Sequence, residues 1–106
     1  MPKYLFHGSY TEAGLKGLLK EGGTKRREVI KQAVESLGGT LEVCYFGFGD
    51  YDFWFIADTP DNVSAITGSL ISNASGTVRL KTTVLITPEE IDEAVKKTMQ
   101  WRPPGQ

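Results

Sequence analysis

The chain of 106 residues has one cysteine, Cys44, and one histidine, His7. A single cysteine closes no disulfide within the chain, and together the two fall short of the ligand set of a closed zinc site. Apolar stretches are short as well, none approaching the roughly 20 residues that span a bilayer. Charge of one sign is also missing. Twelve basic residues stand against thirteen acidic ones for a net charge of −1, so the field that draws proteins onto phosphate backbones is absent. Met1-Pro2-Lys3 leads directly into an alternating segment, so no secretory leader is expected. These absences predict a cytoplasmic protein with no metal, no cofactor, no nucleic-acid partner and no membrane attachment.

What is present suits one globular domain. Hydrophobic residues make up 40% and charged residues 24%, too apolar for a disordered chain. By length we expect one domain over residues 1–100 and a short proline-rich tail over 101–106, where Pro103-Pro104 stops any helix.

Period-2 alternation predicts strands over Lys3–Tyr10, Thr40–Phe46, Tyr51–Asp58 and Val78–Ile86. Helical spacing marks Leu15, Leu18 and Leu19 before Gly22-Gly23, then Val29, Ile30, Ala33, Val34 and Leu37, with Thr24 as N-cap and Gly38-Gly39 as the stop. Thr59-Pro60-Asp61 opens another helix, with Thr59 as the expected cap. Thr87-Pro88-Glu89-Glu90 reads as a capping box for the last helix, with Ile91, Ala94 and Val95 on one face. The order βαββαβ plus a terminal helix predicts an α+β, ferredoxin-like sandwich. Its sheet would be four-stranded and antiparallel, with strands one and three central, right-handed crossovers and the helices on one face.

Sorting strand residues by parity separates two faces. Tyr4, Phe6, Leu41, Val43, Tyr45, Tyr51, Phe53, Phe55, Val78, Leu80, Val84 and Ile86 are expected to meet the helices. Leu5, His7, Ser9, Glu42, Cys44, Phe46, Asp52, Trp54, Ile56, Arg79, Lys81, Thr83 and Leu85 fall on the other side. That side carries too much apolar bulk for a solvated face. A second copy of the same sheet is the simplest cover, giving a two-fold homodimer with a small cavity between the sheets.

Phe48-Gly49-Asp50-Tyr51-Asp52, followed by Phe53-Trp54-Phe55-Ile56-Ala57-Asp58-Thr59-Pro60-Asp61, resembles the signature of the GYD domain family. Thr11-Glu12-Ala13-Gly14-Leu15, Leu37-Gly38-Gly39 and Gly76-Thr77-Val78-Arg79 support the likeness, which covers most of the chain. The resemblance implies a protein of the dimeric α+β barrel type, a group that includes ligand-sensing domains of leucine-responsive regulators and cofactor-free monooxygenases. It implies no established activity. His7 and Trp54 lie outside the motif.

Four residues are the candidates for a ligand site: His7, Asp52, Trp54 and Arg79. Asp52 and Arg79 can bind a polar or anionic molecule, or form an ion pair that fixes the dimer register. His7 is the candidate catalytic residue, since imidazole titrates near neutrality and suits a general base; its bland role is a polar residue at a cavity rim. Cys44 reads as a packing residue rather than a nucleophile. The Gly47-Phe48-Gly49-Asp50 turn joins two strands and so lacks the helix N-terminus of a phosphate site. Lys25-Arg26-Arg27 reads as a solvated face. Aromatics on strands one and three resemble those of RNA-recognition modules, but Asp50 and Asp52 stand where a basic lead is needed. The expected function is a homodimeric small-ligand-binding or sensor module; the alternative is a cofactor-independent enzyme, monooxygenase- or isomerase-like, using His7.

Overall fold

The computed structural model describes residues 1–106. Its elements are β1 (Lys3–Tyr10), α1 (Glu12–Glu21), α2 (Gly23–Ser36), β2 (Thr40–Phe46), β3 (Phe53–Asp58), α3 (Asn62–Ala74), β4 (Val78–Leu85) and α4 (Pro88–Val95). The strands form one antiparallel sheet in the order β2-β3-β1-β4, so the first and third strands are central as expected. No helix is long and apolar enough to cross a membrane.

Helix ends follow local hydrogen bonding, with two corrections. Thr24 lies inside α2 and caps nothing; Gly22 stands at the junction of α1 and α2, and α2 begins without a side-chain cap. Asp61, not Thr59, caps α3, its carboxylate accepting the Ser64 N–H at 2.8 Å. Thr59 is instead buried, its hydroxyl donating to the Asp61 carbonyl. The Thr87/Glu90 capping box forms as predicted, and Gly38 takes the left-handed conformation that ends α2 (φ 84°).

The core is an aromatic layer on one sheet face. Tyr4, Phe6, Phe53, Phe55 and Ala57 are buried there, joined by Val34 of α2 and Ala65 of α3. The Phe6 and Phe55 rings stack at 4.9 Å, and Tyr10 and Phe53 meet at 5.1 Å. Tyr4 passes through the layer and donates its hydroxyl to Asn62 at the start of α3. A buried aromatic of this kind contributes roughly 1.5–3 kcal/mol through burial alone.

Strict alternation fails in two places. Leu41 pairs with Ala57 but Val43 pairs with Ile56, so β2 carries one extra residue, Glu42. This bulge reverses every side chain after it. Cys44 and Phe46 therefore pair with Phe55 and Phe53 and pack on the core, while Val43 and Tyr45 pair with Ile56 and Trp54 on the open face. The expected faces of these four residues are thus corrected. Both phases of Val43-Cys44-Tyr45-Phe46 are apolar, which hid the change. The second failure is Tyr51, which precedes β3 rather than belonging to it and turns to the open face, where it meets His7 and Trp54. At the bulged end, Lys3 bridges Glu42 and Asp58, and these hydrogen bonds, Glu42 first, hold its ammonium above the usual lysine range.

The single chain leaves much surface bare. Its accessible area is 7568 Å², against about 5,900 Å² for a compact protein of this mass. Its radius of gyration is 16.8 Å, against about 13 Å. Every residue from Ile86 to Arg102 is exposed, including Ile91, Val95, Met99 and Trp101.

Close approach makes Gly8 the most demanding glycine in the sheet. A Cβ there would lie 2.0 Å from the Arg79 carbonyl oxygen, which belongs to the neighbouring backbone and cannot give way. Gly8→Ala should therefore cost about 3 kcal/mol. Gly17→Ala, in the open interior of α1 with nothing within 4 Å, should add about 0.5–1 kcal/mol by raising helix propensity. Urea denaturation of the two variants checks both signs.

Candidate functional site

On the sheet face without helices, β1 brings His7 directly opposite Trp54 of β3 and Lys81 of β4. The His7 and Trp54 rings stack at 5.1 Å with 10° between planes. Tyr51 sets its edge against both, 4.5 Å from His7 and 5.3 Å from Trp54. Lys81 donates to the Tyr51 hydroxyl at 3.2 Å and lies 5.5 Å from its ring centre. Offset and edge contacts of this kind favour the ring quadrupoles, and the ammonium adds a cation–π attraction. The result is a fixed aromatic and cationic platform.

His7 Nδ1 is buried and has no hydrogen-bond partner within the chain. Trp54 is 38% exposed, so one side of the stack remains open. Around it on this face are Leu5 and Thr83, Val43 and Ile56, and Tyr45 beside Trp54. A planar, polar molecule meets rings, a ring nitrogen and an ammonium here.

The sequence-predicted residues divide. His7 and Trp54 come together. Arg79 lies on the same open face, the next position on that face beyond Lys81 along β4, opposite Ser9. Asp52 serves the backbone: its N–H donates to the Gly8 carbonyl at 2.8 Å, and its carboxylate accepts the Tyr10 N–H at 2.9 Å. It thereby closes the β1–β3 ladder beyond the last strand pair. No ion pair joins it to Arg79; the ion pairs are Lys3–Glu42, Lys3–Asp58 and Lys16–Glu12. Tyr51 was missed because the expected strand begins at Tyr51, whereas β3 begins at Phe53 and the alternation has no physical basis before it. The turn itself was the signal. Lys81 was legible as a cation on the right face, and the register adds that it stands beside His7.

No group of three or more His, Cys, Asp or Glu side chains is placed to hold a metal ion. Cys44 is a free thiol on the core side, and burial pushes it up against the lowering pull of Arg27 and Arg26.

The family model described as GYD domain matches residues 4–95 of the chain. A search among curated proteins finds no match.

Two measurements probe this geometry. A double-mutant cycle of Tyr51→Ala and Trp54→Ala, read by chemical denaturation, should show a coupling of about 0.5–1.5 kcal/mol; strict additivity would mean the rings do not act together. Cys44 should react with a disulfide reagent at neutral pH several-fold more slowly than free cysteine, because its thiolate is disfavoured.

Proposed function

The chain belongs to the GYD domain family, and from that premise we propose that it works as a ferredoxin-like homodimer of the α+β barrel type. Two open sheet faces pack together around a cavity that binds a small polar or anionic molecule. The single observation that carries this reading is the His7–Trp54–Tyr51 cluster on a face that no helix covers. Rings held in a fixed stack with one side bare suit a planar ligand. Lys81 and Arg79 supply positive charge beside it. The exposed area of the lone chain, well above that of a compact protein, supports a partner. A two-fold axis would bring the same platform from each copy to one cavity. Free Cys44 suits a reducing cytoplasm.

A second reading rests on His7 Nδ1, a buried ring nitrogen with no partner in the chain. Such a nitrogen is free to take a proton from a bound substrate, which is what a cofactor-independent monooxygenase- or isomerase-like enzyme requires. Asp52 has no part in that chemistry, since its carboxylate is engaged with the backbone.

Light scattering at micromolar concentration tests the assembly. The expected result is a mass of two chains, reduced to one by Trp54→Arg with the circular dichroism unchanged. In a Trp101→Phe background, Trp54 emission should resist quenching by iodide. A monomer at about 100 μM whose Trp54 is freely quenched would sink the reading, because association that weak lies below the range of stable interfaces.

A further inference from the structure

The helix layer is open along its middle. α2 packs on β2 and α3 on β4, and these are the two edge strands. Between the helices, over the central strands, lies a cleft of about 290 Å³. Phe6, Phe53 and Phe55 form its floor, Ile30 and Val34 one wall, and Ile71 part of the other. This is the side of the sheet opposite the His7 platform.

Arg26, in the first turn of α2, is the only charged side chain lining the cleft. Its Nε is buried and has no hydrogen-bond partner, and Arg26 takes part in none of the ion pairs. A guanidinium Nε–H taken out of water without an acceptor is costly, and a carboxylate is the group whose two oxygens match the guanidinium fork. Tyr10 lines the cleft beside it. Burial raises the Tyr10 hydroxyl pKa, while the charge of Arg26 and a hydrogen bond from its side chain pull it down, so the phenol keeps its proton to donate and sits against the guanidinium. The sequence placed Arg26 in a solvated basic cluster. The structure separates it from Lys25 and Arg27, which are exposed.

We propose that this cleft binds a medium-chain monocarboxylate, with its head group on Arg26 and Tyr10 and its aliphatic tail on Phe6, Phe53 and Phe55. The volume sits at the small end of ligand pockets, about 300–1,000 Å³, which suits a single short chain rather than a lipid with two. The apolar floor supplies the burial, and the lone cation sets the sign of the head group. The site is independent of the sheet-face assembly.

Calorimetric titration of the full chain with decanoate and with decanol tests it. Decanoate should saturate at one molecule per chain, about tenfold or more tighter than decanol. Arg26→Leu should remove that preference while leaving decanol binding unchanged, and the Arg26 Nε–H resonance should shift on adding decanoate to the wild type. Ala33→Phe, which fills the cleft from α2, should weaken both ligands with Arg26 intact. The proposal is overturned by any of three results: no saturation by decanoate below about 1 mM, equal binding of decanol by the wild type, or an Arg26→Leu variant that keeps the preference. It also falls if, without ligand, nuclear Overhauser contacts join Ile91 or Val95 to Ile30 or Val34, for then the C-terminal helix of this chain or a second copy occupies the cleft.

Discussion

The register of β1 against β3 is the constraint on which the rest of the structure depends. It sets Phe6 opposite Phe55 and His7 opposite Trp54, one pair on each side of the sheet. The first pair anchors the core and the second builds the open platform. A slip of one residue would turn β1 over against β3, sending His7 under the helices and Phe6 to the open face and breaking both pairs. Burial of the aromatic layer therefore specifies the candidate site as well, because the two faces are the two parities of the same strands. Asp52 secures this arrangement where the ladder ends, giving its own N–H to Gly8 and receiving that of Tyr10.

Departures from regular pairing shape the open face. Glu42 adds a residue to β2 and sends Val43 and Tyr45 outward while drawing Cys44 and Phe46 in. The bulge also puts the Glu42 carboxylate within reach of Lys3, two strands away, which already bonds Asp58. At the other end the Gly47–Asp50 turn releases Tyr51 from the strand period, so that its ring can brace both His7 and Trp54. Without these two irregularities the face would lose its outer aromatics, Tyr45 and Tyr51.

Both sides of the sheet carry apolar surface that one chain does not finish covering. On one side the platform has no helix over it. On the other, helices placed over the edge strands leave a cleft above the central ones, with a single guanidinium at its wall. α4 adds nothing to either: it is well capped, amphipathic in sequence and wholly exposed. A compact domain of this length buries about two thirds of its unfolded surface, and this chain stops short of that.

Element order, helix stops and most strand faces were legible in the sequence, because alternation, capping chemistry and glycine placement are local properties. Phe6 and His7 could be assigned to opposite faces from parity alone, and so could Arg79 and Leu80. Where both phases of a segment are apolar, as from Val43 to Phe46, the pattern holds no information about a bulge, and only pairing with β3 decides which side chains turn inward. Tyr51 joined the platform for the same reason, since its direction is set by a turn and by the rings it meets. Arg26 shows the limit most sharply. Its neighbours in sequence made it one of three basic residues on a helix start, but the packing of that helix over an edge strand put its Nε alone beside an apolar cleft. Chain-local chemistry decides which elements form; burial, and the company each side chain keeps, is decided only when those elements meet.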